Sequence, residues 1–190
     1  MGTARTTRAR WIDEGLAVLV EGGSDAVRVE VLAKRIGVTK GGFYGSFPDR
    51  QAVLDAMLDR WRTESVDEVL AIIEHAGGDR KSQAVLAGQL TFDEKRLPVD
   101  MAVREWARKD PTVADRLRDV DNQRMSLLRN AFADQCADAD ELEARCLIAF
   151  CVAIGSRLLH ADHPGRTREQ VLSTVRRMVV DTASTPLAPQ

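Results

Sequence analysis

Apolar residues recur three and four positions apart along almost the whole chain, as in Ile12, Leu16, Leu19 and Val20, or Val53, Leu54, Met57, Leu58 and Trp61. That interval places them on one face of a helix, and the period-two alternation of strands is scarce. The one short candidate for a strand, Val27, Val29 and Val31, runs directly into Leu32, Ala33 and Ile36 and fits the buried face of a short helix better. Breaks rich in Gly, Pro or Asp fall at "EGGSD" (21–25), "IGVTK" (36–40), "FPD" (47–49), "AGGD" (76–79), "RLP" (96–98), "KDP" (109–111), "ADAD" (137–140) and "HPG" (163–165). The expected fold is therefore all-α, with about nine helices between these breaks. The tail "TASTPLAPQ" has two prolines and little to bury, and is expected to fray.

Composition adds limits. At 190 residues, 44% hydrophobic and 29% charged, the chain has the make-up of a soluble protein with a sizeable core. No apolar run approaches the ~18 residues of a membrane span, so no membrane partner and a cytoplasmic location are expected. Of 27 Lys/Arg and 29 Asp/Glu, 8 and 6 lie in residues 1–50, which makes the N-terminal part slightly basic within a net charge of −2. The first ten residues, "MGTARTTRAR", hold three arginines and no acid and read as a basic arm. Cys136, Cys146 and Cys151 form an odd set without CxxC spacing, which argues against a disulfide framework or a zinc site and for reduced, mostly buried thiols. His160 and His163 have no carboxylate or thiol at ligand spacing, so no metal and no other cofactor is expected.

One stretch carries more specific chemistry. In "VEVLAKRIGVTKGGFYGSF" (29–47), Val29, Leu32, Ala33 and Ile36 face inward on a first short helix and Gly37 ends it. Glycine suits a left-handed position after a helix because it lacks a Cβ. Ala33, four residues earlier, allows a second helix to cross closely, and Phe43 supplies an apolar plug for it, which is the spacing of a helix-turn-helix. Thr39 can cap the second helix with its hydroxyl. That leaves Lys40, Gly41, Gly42, Tyr44, Gly45 and Ser46 around an exposed face. Two adjacent glycines cost a helix roughly 2 kcal/mol relative to alanines, but bare backbone can approach a phosphate or a base edge where a side chain would collide. Tyr44, next to buried Phe43, is placed to offer its phenol to phosphate or its ring to a thymine methyl. A plainer account stays open: the glycines mark a turn, Tyr44 packs on Phe47, Lys40 is a solvated charge, and the hairpin is structural.

The run "LAKRIGVTKGGFYGSFPDRQAVL", preceded by "GGSDAV", resembles the tetracycline-repressor (TetR) family of bacterial transcription regulators. The resemblance is strong over residues 5 to 58, and "VREWARKDPTVADRLRDVDNQR" (103–124) is similar to one subset of the family. It implies a three-helix DNA-binding head at 1–48 and a helical ligand-binding and dimerisation domain at 49–190. It also implies a homodimer whose subunits present Lys40 and Tyr44 to the major groove. Gly45 and Ser46 stand where many members have an aromatic or histidine pair, which lightens side-chain readout. Val27 and Arg28 replace the usual Ser/Thr caps, so Arg28 is expected to contact phosphate; Glu30 is able to orient it or to accept from a cytosine amino group, but a plain solvated face is the stronger expectation for it. Arg50 near the start of the following helix can reach phosphate. The expected DNA-binding set is thus Arg28, Thr39, Lys40, Gly41, Gly42, Tyr44, Ser46 and Arg50.

Residues 49–190 contain no aligned catalytic set, so no enzyme activity is expected. Met57, Trp61, Phe92, Met101, Trp106 and Met125 fit either a core or the wall of a ligand pocket between helices. Arg104, paired with Asp100 at i,i+4, and Asp121 are the polar groups embedded among these apolar turns. The segments 141–160 and 167–183 are the most apolar long ones, and Leu147, Ile148, Cys151, Ile154, Gly155 and Leu158 exceed one narrow stripe, as expected of helices buried also against a second chain. The expectation is a regulator on double-stranded operator DNA, homodimeric through 141–183 and released by an unidentified small-molecule effector. The alternative is a non-DNA-binding helical enzyme or carrier with a structural helix-turn-helix.

Overall fold

A computed structural model describes residues 7–91 and 93–180, and among these the chain is helical without a strand. The helices are α1 (Arg8–Gly22), α2 (Val29–Ile36), α3 (Lys40–Tyr44), α4 (Arg50–Arg62), α5 (Glu68–Ala76), α6 (Arg80–Thr91), α7 (Leu97–Ala107), α8 (Pro111–Phe132), α9 (Ala139–Leu158) and α10 (Arg168–Val180). A π-helical segment, Thr63–Asp67, follows α4 and leads directly into α5. Their ends follow local chemistry: Thr7 caps α1, Asp49 caps α4 by accepting from the Ala52 amide at 2.8 Å, and Asp138 caps α9 in the same way.

Two compact units divide the chain, Met1–Val69 with Asp93–Asp121, and Leu70–Phe92 with Asn122–Gln190. In the first, Trp11, Leu19, Val27, Leu32, Phe43, Phe47 and Val53 are buried together at no more than 1% exposure, drawing α1 to α4 around one core. Gly15 on α1 is a contact requirement, because a Cβ there would lie 2.6 Å from Met57 Sδ on α4. Arg96 braces the π-helical turn, donating from Nε to the Glu64 carbonyl at 3.0 Å while pairing with Asp93 at 2.6 Å. Between α7 and α8, Arg104 donates from Nε to Asp100 at 2.8 Å and through both terminal nitrogens to Asp121 at 2.9 and 2.7 Å. Asp100 is fully buried. Burial works against the charged guanidinium, but Asp121 and Asp100 outweigh it and hold its pKa above the ordinary arginine value.

In the second unit α9 packs with α10, and Arg129 on α8 forms a two-pronged ion pair with Glu143 on α9. Leu147, Ile148, Cys151 and Leu158 of α9 and Met178 of α10 lie exposed. The expectation of mostly buried thiols holds for Cys146, whose pKa burial pushes up to about 11, and not for Cys151.

Candidate nucleic-acid interface

The hairpin of α2 and α3 is set by backbone geometry and one aromatic plug. Gly37 sits in the left-handed region at φ 79°, where its amide and that of Val38 close onto the Ala33 carbonyl at 3.0 and 2.9 Å. Ala33 is buried, and Phe43 from α3 meets Trp11 edge-on at 5.2 Å between centroids and stacks on Phe47 at 5.6 Å. The plug leaves the other sides of α3 outside. Tyr44 is 60% exposed and meets Phe43 edge-on at 5.5 Å between centroids.

Gly41 and Gly42 are exposed, and neither has the positive φ that would demand glycine. A Cβ on Gly41 would meet its nearest neighbour, the Thr39 hydroxyl, at 3.7 Å, and one on Gly42 would meet Val38 at 3.8 Å. Both are ordinary contacts. Neither a positive φ nor a close neighbour requires glycine at these two positions.

Several side chains depart from expectation. Thr39 occupies the cap position of α3, but its hydroxyl makes no capping bond, since the Thr39 carbonyl itself receives the Gly42 amide at 3.0 Å. Arg50, expected at phosphate, turns inward and donates to the carbonyls of Val27 at 2.6 Å and Ser24 at 2.5 Å, tying the start of α4 to the turn before α2. Arg28 stays exposed at the cap of α2, with Nε on the Asp25 carbonyl at 3.0 Å. Lys40 opens α3 with its ammonium 2.5 Å from Glu30. That bond, first among its causes, holds the Glu30 carboxyl below its usual pKa.

Sequence reasoning placed Arg8 only in a general basic arm. Its guanidinium stacks 4.0 Å above the Phe47 ring and donates to the Ser46 carbonyl at 2.9 Å, which fixes a cation beside the end of α3. No local signal could announce a contact across 38 positions. Arg10 similarly reaches the Ile36 carbonyl at the end of α2.

The geometry is that of a helix-turn-helix with a glycine-bared, cation-edged reading face, and residues 12–57 match the family described as bacterial regulatory proteins, tetR family. Over these residues the chain is similar to the tetR family. The chain also shares its fold with solved structures at low identity. A transcriptional regulator from Rhodococcus sp. Rha1 is 23% identical, with 97% of this chain and 100% of that one covered at a TM-score of 0.67. A protein of unknown function from Rhodococcus sp. RHA1 is 18% identical over 93% of this chain and 95% of that one, at a TM-score of 0.70. The regulator FadR from Bacillus subtilis, in complex with stearoyl-CoA, is 12% identical over 92% and 98%, at a TM-score of 0.66. No curated protein matches the chain.

Of the residues expected at a ligand pocket, Met57 is fully buried against Gly15 of α1. Trp61 and Trp106 are buried, Met101 is half-buried, and Arg104 is taken up by Asp100 and Asp121, all in the first unit. Met125 is half-buried in the second unit, and Phe92 lies outside the described residues. Trp61 keeps a buried indole N–H that meets no acceptor among the described residues. Among those residues there is also no cluster of His, Cys, Asp or Glu fit for a metal, and no helix long and apolar enough to cross a membrane.

Proposed function

We propose that this chain is a homodimeric, ligand-responsive repressor that binds double-stranded operator DNA through the face of α3. The observation that carries the reading is the pair Gly41 and Gly42, which the fold does not need, beside a Tyr44 held outward by its neighbour Phe43. A close-approaching duplex gives both a purpose. Lys40, Tyr44 and the bared backbone meet the major groove, while Arg28, Thr39 and Ser46 border it. Arg50 acts from behind, by fixing the head on α4. Functionally the head spans 1–48 and the regulatory domain 49–190, with α4 opening the latter. The protein works in the cytoplasm and is not an enzyme.

Replacing Tyr44 with alanine is expected to weaken binding to a selected duplex by about 1–3 kcal/mol and to leave the helical circular dichroism unchanged, because the side chain stands largely in solvent. Unchanged affinity would make the side chain idle, and lost folding would make it part of the core.

The second copy is proposed to dock on α9 and α10 within 141–183. Ile148, Cys151, Ile154 and Leu158 follow one another at three and four residues with Leu147 beside them, most of these are exposed, and a Cβ on Gly155 would meet nothing within 4 Å. Introducing aspartate at Ile154 buries a charge in that contact and is expected to give monomers or unfolded chain in sedimentation. An unaltered dimer would move the interface elsewhere.

The effector is proposed to be small and at least partly apolar, in keeping with the stearoyl-CoA bound by FadR and with the buried Trp61 indole that could donate to it. It releases DNA only if it binds one arrangement of the heads better than the other, and DNA must then weaken its binding by the same factor.

A further inference from the structure

The ion pair between Lys40 and Glu30 has no structural task of weight. Both side chains are more than half exposed, at 58% and 59%, and solvent screens such pairs. An acid on a face otherwise edged by Arg8, Arg28 and Lys40 also repels phosphate. Its placement is specific nonetheless: Lys40 is the first residue of α3 and Glu30 the second of α2, so one carboxylate sits against the N-terminal end of the helix that faces the groove. Residues at that end are the ones that reach base edges in a helix-turn-helix.

The chemistry of the pair has a counterpart in the groove. A G·C pair presents, in order, the two acceptors N7 and O6 of guanine and then the N4 amino donor of cytosine, whereas A·T presents acceptor, donor, acceptor. Lysine has three donors. Two can span N7 and O6 while the third stays on Glu30 Oε1, which leaves the other carboxylate oxygen to accept from N4. Every donor and acceptor is then matched on a G·C edge. On A·T the lysine would face a donor in second place.

Resting on the DNA-binding reading above, we infer that Glu30 and Lys40 act as one unit that reads a single G·C base pair in each half-site. Glu30 is thus a specificity-determining residue. It lowers affinity for the backbone and in return discriminates at one position.

The test is selection from a random duplex library with the full-length wild-type protein, Glu30→Ala and Glu30→Gln, followed by gel shifts on the selected duplex with each base pair changed in turn. Glu30 is exposed, so all three proteins are expected to fold alike by circular dichroism. Wild type is expected to prefer one G·C position by roughly 5- to 150-fold, the span of one good base contact. Glu30→Gln, which keeps an acceptor, is expected to retain much of that preference. Glu30→Ala is expected to lose it at that position alone while binding unselected duplexes more tightly. If Glu30→Ala selects the same motif with undiminished discrimination at every position, the inference is overturned and the DNA-binding reading stands. If wild type selects no motif and binds no duplex, both fall.

Discussion

Replacing Arg104 with alanine is expected to destabilise the protein by about 3–5 kcal/mol, the range for taking one partner from a buried ion pair. The reason is position. Asp100 has no solvent exposure, and the guanidinium that faces it at 2.8 Å also holds Asp121 in a two-pronged bond, so this side chain bridges α7 and α8. A surface pair would contribute only about 0–1 kcal/mol, and the two cases are therefore well separated. Denaturant unfolding at fixed protomer concentration measures the difference, the concentration being fixed because a dimer's stability depends on it. Combining Arg104→Ala with Asp100→Asn is expected to recover part of the loss, since it also removes the buried charge. A loss below about 1 kcal/mol would mean that water screens the site as it screens a surface.

The second large effect is on DNA binding and runs against helix stability. Leucine at Gly42 is expected to raise the stability of α3 by a fraction of the roughly 1 kcal/mol that separates glycine from good helix formers. A Cβ at that position makes only an ordinary contact inside the protein, with Val38 at 3.8 Å. Binding to the selected duplex is expected to be abolished, because the new side chain fills the space through which backbone and DNA approach. Gel shift and thermal unfolding on the same preparation check both signs together. A variant that is more stable and binds as wild type does would remove close approach as the reason for the glycines.

How much of this was legible in the sequence depended on how local the determining contacts are. The turn of the helix-turn-helix was readable because Gly37, Ala33 and Phe43 act within ten positions of one another, through a left-handed backbone angle, a close crossing and a plug. The helix ends were readable for the same reason, as caps and prolines act on their own turn. The bonds of Arg50 were not legible, since a position near the start of α4 does not reveal that the Val27 and Ser24 carbonyls converge on it from 23 and 26 residues away. Arg104 was half legible. Its i,i+4 pairing with Asp100 follows from helix geometry, but its bond to Asp121 and the burial of Asp100 depend on how α7 and α8 meet. Met57 was readable as apolar, and only the notch at Gly15 shows which partner it fills. The π-helical turn at Thr63–Asp67 has no signature in composition or spacing, and none was read there.

The central claim is that the face of α3 binds duplex DNA, and the most direct measurement is a titration of the full-length protein against duplex from upstream of its own coding sequence at rising salt. Phosphate contacts displace counterions, so log affinity should fall linearly with log salt, by about 0.9 for each phosphate neutralised. The account predicts tight binding at low salt, a loss on the order of 10³-fold or more between about 50 and 200 mM, and competition by that duplex far stronger than by unrelated DNA. Absence of binding to any duplex at low salt would contradict it.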